Sequence, residues 1–221
     1  MSLFASFSEP GFWLVVAAVA AIVLLVARHY VPSPWRAWLA PAYWFFIPYL
    51  ALLVGAVSPR LMGLYWIDWR TTFQVGAGLL LVIGLLALLA WLFVLPRAEA
   101  GAKVGWSVRL VWIGLAGTEE WFWCFLRAAL WEIMWTAPQV GAAPLYLSVW
   151  GAALLALPLA LALHESGRLR LIKTAILLIT TVVFLFTRNF WLCWLIHAAL
   201  AVLFTPGVVR VTRAAAAPLP Q

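Results

Sequence analysis

The sequence predicts an all-α fold, a polytopic transmembrane helical bundle of about seven spans forming one domain over residues 1–221, and three observations predict it. First, 67% of the residues are hydrophobic and only 10% charged, against about a quarter charged in globular chains, and the mean hydropathy is +1.06. Second, the apolar residues fall in runs of about 20, the length that crosses a bilayer at 1.5 Å per residue. Third, the basic residues stand mostly at the ends of those runs rather than in one patch, although the net charge is +7. That placement points to control of topology and away from nucleic-acid binding.

In chain order, the apolar runs cover about 11–28, 37–57, 74–95, 106–135 and 143–165. An apolar segment around 170–187 with Lys173 near its start follows, then a shorter one around 189–205. The first run follows Ser8-Glu9-Pro10 and lacks a basic leader, so it reads as a retained helix rather than a signal peptide. Pro32, Pro34, Pro59, Pro96, Pro138, Ser166-Gly167 and Pro206-Gly207 divide the runs. Pro41, Pro48 and Pro158 fall inside them, where a kink is the expected consequence. Trp13, Trp35, Trp66, Trp69 and Trp191 lie near run ends and suit interfacial belts.

Counting Lys and Arg in alternate loops sets the orientation. One side collects Arg28, Arg36, Arg97, Lys103, Arg109, Arg168, Arg170, Lys173, Arg210 and Arg213; the other collects Arg60, Arg70 and Arg188. The split is ten to three and predicts the N-terminus outside and the C-terminus in the cytoplasm.

Against that apolar background, Glu119 and Glu120 stand out. A charge near the middle of a bilayer costs roughly 2.5–3.5 kcal/mol, so such groups face a polar interior or a wet cavity. The other acid–base groups available are His164 and His197, since His29 sits beside Arg28 at a helix end and Glu132 lies near the far end of its span. Measured from Arg109, Arg168 and Arg210, Glu119 lies about 15 Å deep, His164 about 6 Å and His197 about 20 Å, depths compatible with one cavity on the cytoplasmic half. Successive helical residues diverge by about 100°, so the two glutamates have different tasks. Cys124 and Arg127 fall on the face of Glu120, and Arg127 leans back toward it. Glu119 is then left to face the histidines. A glutamate base, a histidine sharing a water and a second donating to an oxyanion suffice for amide hydrolysis. Cys193 lies one turn before His197 and reads as a packed thiol.

The ordered set resembles the CAAX-protease and bacteriocin-processing (CPBP, or ABI) family of glutamic intramembrane proteases, with motifs Glu-Glu-x-x-x-Arg, Phe-x-x-x-His and His-x-x-x-Asn. Glu119-Glu120 match the first pair, and His164 and His197 match the second and third motifs at their histidines, over roughly residues 106–205. The first motif's Arg falls on Cys124, with Arg127 three residues later; the second motif's Phe falls on Ala160 and the last motif's Asn on Ala201, Asn189 being the chain's one asparagine. The resemblance implies that Glu119 activates water, Glu120 supports it, and His164 and His197 complete the water site and oxyanion hole. Its implied partners are a membrane-embedded peptide substrate, the bilayer and further membrane subunits, with no nucleic acid. No cofactor is expected, although two His and a Glu on separate helices also suit a metal. Two other classes fit the sequence: a catalytically silent membrane subunit or assembly factor, and a haem or pigment carrier ligated by His164 and His197.

Overall fold

A computed structural model of the chain describes residues 7–93, 105–136, 144–164 and 166–215. The described residues form seven helices and no strands: α1 (Pro10–Tyr30), α2 (Ser33–Leu53), α3 (Trp69–Phe93), α4 (Trp106–Thr136), α5 (Pro144–Leu163), α6 (Gly167–Thr187) and α7 (Phe190–Ala215). Arg97, Lys103, Pro96, Pro138 and Glu165 lie outside them. Four helices, α1, residues 69–89 of α3, α5 and α6, are long and apolar enough to cross a membrane, and the chain reads as an integral membrane protein. Seven such spans are expected from the sequence; α4 falls short on composition because Arg109, Glu119, Glu120, Arg127 and Glu132 all lie on it.

Local chemistry sets the helix ends. Pro10 opens α1 in the first-turn position that needs no N–H, and Arg28 and His29 sit in its last turn, where the helix dipole favours cations. Pro34 does not divide two helices as the sequence suggests; it lies in the first turn of α2, for the same reason as Pro10. Pro41, Pro48 and Pro158 lie inside helices. The helix α7 continues through Pro206-Gly207, which the sequence marks as a break; membrane helices absorb such residues when neighbours supply the lost backbone contacts. Ser166 caps α6 by accepting from the Leu169 amide, and the chain turns into α7 through Arg188 at φ 48°. Asn189 then accepts from the amides of Trp191 and Leu192 at 2.9 and 3.2 Å, which satisfies the first turn of α7.

At that turn the α2–α3 loop closes over the bundle. Gly63 has φ +76°, and a Cβ there would meet the Arg188 carbonyl oxygen at 2.5 Å, so only glycine fits. The Phe190 amide donates to the Gly63 carbonyl at 3.0 Å, and Met62 is buried beneath.

The organising element is α4. Residues 122–129 are buried without interruption, and at about 100° per residue that run covers every face of the helix. Its backbone packs on α1, α2, α5 and α7, and α6 reaches it through side chains. By contrast α3 packs mainly on α6 and less on α7, and most of its described residues face outward. Trp13, expected at an interface, is instead buried and donates to the Phe7 carbonyl at 2.8 Å; Trp35, Trp66, Trp69 and Trp191 are exposed.

Candidate functional site

A close approach of α4 and α7 builds the site. Gly117 permits it: a Cβ there would stand 2.9 Å from Trp194 Nε1, and that indole donates to the Ile113 carbonyl at 3.1 Å. Three residues beyond Trp194, His197 is brought against the two glutamates, its ring stacked on Trp123 with centroids 4.8 Å apart.

Glu119, Glu120, Arg127 and His197 are all buried, and Lys173 is partly buried. Glu120 Oε1 accepts from Arg127 Nη1 at 2.8 Å, the pairing expected from their shared face. Arg127 also reaches Cys124 Sγ at 3.4 Å and the Thr180 and Thr181 hydroxyls at 3.5 Å, and its guanidinium lies over the Phe184 ring. His197 lies between the carboxylates, with Nδ1 3.3 Å from Glu120 Oε2 and Nε2 3.4 Å from Glu119 Oε2. Lys173 of α6 forms an ion pair with Glu119 Oε2, and its Nζ lies 3.5 Å from His197 Nε2. Nδ1 of the ring thus faces Glu120, and Nε2 faces both Glu119 and the Lys173 ammonium. Two carboxylates then face two cations, the condition under which buried charge is tolerated. Glu119 Oε1 is buried and has no hydrogen-bond partner. The Cys193 thiol donates to the Thr180 carbonyl at 3.6 Å, a packed thiol as expected.

A cavity of about 460 Å³ adjoins this cluster, lined by Glu119, Lys173, His164, Arg28, Arg36 and Ala201 among others. It lies at the end of the bundle where Arg28 donates to the Ala162 carbonyl and Arg170 to that of His164. Glu119 and His164 therefore meet at one cavity, whereas His197 stands behind Glu119 and Lys173, fully buried. His164 Nδ1 faces the Ala160 carbonyl at 2.8 Å, and burial pushes its pKa below the ordinary value of 6.5. Among the described residues no group of three or more His, Cys, Asp or Glu is placed to hold a metal ion. A larger cavity of about 780 Å³ lies elsewhere, lined by Arg60, Trp66, Asp68, Trp131, Glu132 and Arg188. Its two guanidiniums lie over Trp66 and Trp131, and no member of the glutamate cluster reaches it.

Sequence reasoning places Lys173 among the boundary charges and leaves Thr180 and Thr181 unassigned. A signal for them existed: a lysine inside an apolar run, followed two turns later by adjacent threonines, puts polar groups on nearby faces of one helix. Compared with family models, with curated proteins and with solved structures, the chain matches none.

Proposed function

We propose that this cavity is the active site of an intramembrane peptidase that hydrolyses a peptide bond of a membrane-anchored or lipidated substrate. The observation that carries the reading is Glu119: a buried carboxylate on the wall of a cavity, with one oxygen held by Lys173 and the other unpartnered. An unsatisfied buried acceptor costs about 1–3 kcal/mol, which a bound water relieves. Water held at Oε1 loses a proton to Glu119 as its oxygen attacks the scissile carbonyl. His197 fixes the orientation of both carboxylates, Glu120 and Arg127 anchor His197, and His164 accepts from the water or the substrate at its cavity face. Cys124 packs against Arg127 and Glu120 and takes no part in the chemistry.

Seven membrane crossings with the N-terminus outside complete the reading. With Lys173 paired to Glu119 the charge split is nine to three and still supports them, as does the pairing of helix ends: α1 meets the end of α5 through Arg28, and the α2–α3 loop meets the α6–α7 turn through Gly63. Alternate loops are thereby gathered at opposite ends.

A silent membrane subunit is the second reading, favoured by the Lys173 ion pair that leaves Glu119 only 1% exposed. Haem ligation is disfavoured because both nitrogens of His197 are occupied by the glutamates and Lys173. The deciding test is cleavage of internally quenched peptides bearing a hexadecanoyl anchor, in proteoliposomes. Parent protein cleaves them and Glu119→Gln does not, while melting as the parent does; equal cleavage by both removes Glu119 as the base.

A further inference from the structure

Beside Glu119, the cation presented to the cavity is Lys173. Its side chain is 13% exposed, against 1% for Glu119 and 0% for His197, so it is the most exposed of the three and reaches a bound group together with Glu119. An ammonium has three N–H donors. One lies on Glu119 Oε2 and one toward His197 Nε2, and the third is left for the cavity that Lys173 lines.

Of the cations lining the cavity, Lys173 is the one shown ion-paired with Glu119. Both nitrogens of His197 are taken within the cluster. The His164 ring proton sits on Nδ1, against the Ala160 carbonyl, which makes its Nε2 an acceptor; burial disfavours the protonated ring that would donate from both sides. At the mouth, Arg28 and Arg36 each give one N–H to a carbonyl, of Ala162 and Val31, at 3.2 and 3.3 Å. On the α7 wall, Ala201 offers only a methyl group.

Resting on the peptidase reading of this cavity, we infer that Lys173 is a catalytic residue that donates its third N–H to the oxyanion formed on the scissile carbonyl. As the water oxygen bonds to the carbonyl carbon, the π pair moves onto the carbonyl oxygen, and Lys173 stabilises it without giving up its proton. Glu119 holds the proton taken from water. When the carbonyl re-forms, the C–N bond breaks and that proton passes to the departing amine, leaving a carboxylic acid and an amine. Lys173 thus serves base and oxyanion together, orienting the first through Oε2 and receiving the second.

The test uses the same hexadecanoyl-anchored quenched peptides in proteoliposomes, with melting of each variant as the control for folding. Lys173→Met is expected to lower kcat by about 10²–10³-fold, the cost of one oxyanion donor, with KM within roughly threefold of the parent's. Ala201→Asn, which places an amide donor on the opposite wall, is expected to raise kcat about tenfold in the Lys173→Met background and by less in the parent. Should Lys173→Met fail to fold, Lys173→Gln keeps an N–H without the charge; it is expected to lose about tenfold in kcat, with partial recovery by Ala201→Asn. Parent-like turnover in the folded Lys173 variant overturns the inference. So does a loss that Ala201→Asn leaves untouched, because a counterion of Glu119 has no need of a second donor. If Glu119→Gln is inactive while the Lys173 variant is active, the role of Lys173 falls and the peptidase reading stands. If Glu119→Gln is active, or the parent cleaves none of the peptides, both fall.

Discussion

Arg127 is the largest of the fully buried side chains among the described residues, and nearly all its polar reach is spent inside the bundle, on Glu120, Cys124, Thr180 and Thr181. Removing one member of a buried ion pair strands the other, at a cost of about 3–5 kcal/mol. Arg127→Ala is therefore expected to lower the detergent-solubilised melting point strongly, and Glu120→Gln in the same chain to recover part of that loss. Additive losses from the two changes, read from melting curves, would show that the pair is not coupled. The Glu120–Arg127 pairing was legible in the sequence because both residues lie on one helix, where a spacing of seven fixes the relative direction. Lys173 was not. Its partner is 54 residues away on another helix, and a lysine near the start of an apolar run is read first as a boundary charge. The helix starts at Gly167, which puts Lys173 about 9 Å in at 1.5 Å per residue, deep enough for its stem to carry the ammonium to Glu119.

At the scale of elements, capping is open to a pH test at the start of α3. The Asp68 carboxylate accepts from the Thr71 hydroxyl at 2.6 Å and the Thr71 amide at 3.0 Å, and these bonds hold its pKa below the usual carboxylate value of 3.8. A depressed folded-state pKa means that the stabilisation is present above the ordinary carboxylate range and is lost as pH falls through the lowered value. Exchange of the Thr71 amide, corrected for its intrinsic rate, is expected to rise as pH drops below about 4 in the parent. In Asp68→Asn the same correction should leave no such rise; a rise of equal size in the variant would remove Asp68 as its source. Helix existence was legible from run length alone, and the boundaries were less so. The run about 37–57 ends as helix at Leu53, because the chain turns through Gly55 at φ +72° toward the Gly63 contact. That contact involves residues more than a hundred positions apart, so no local pattern announces it.

For the whole molecule, the testable property is topology. Reporter fusions are expected to place the α2–α3 loop and the α6–α7 turn outside and the α1–α2 and α5–α6 turns inside, with the C-terminus cytoplasmic. An external C-terminus, or Arg60 and Arg188 on opposite sides, would reject that arrangement. The packing order was beyond reach of the sequence, since hydrophobic periodicity loses its meaning where both lipid and protein neighbours are apolar. Only the uninterrupted burial of residues 122–129 identifies α4 as the helix surrounded by others.

Charge balance at Glu119, Glu120, Arg127 and Lys173 also decides how the site responds to the transmembrane voltage. A single elementary charge moved across the membrane exchanges about 2.3 kcal/mol with the field for every 100 mV. With two negative and two positive groups packed together, these four side chains carry no net charge between them for that field to act on. Small displacements of these four groups as one body along the membrane normal therefore do no net electrical work.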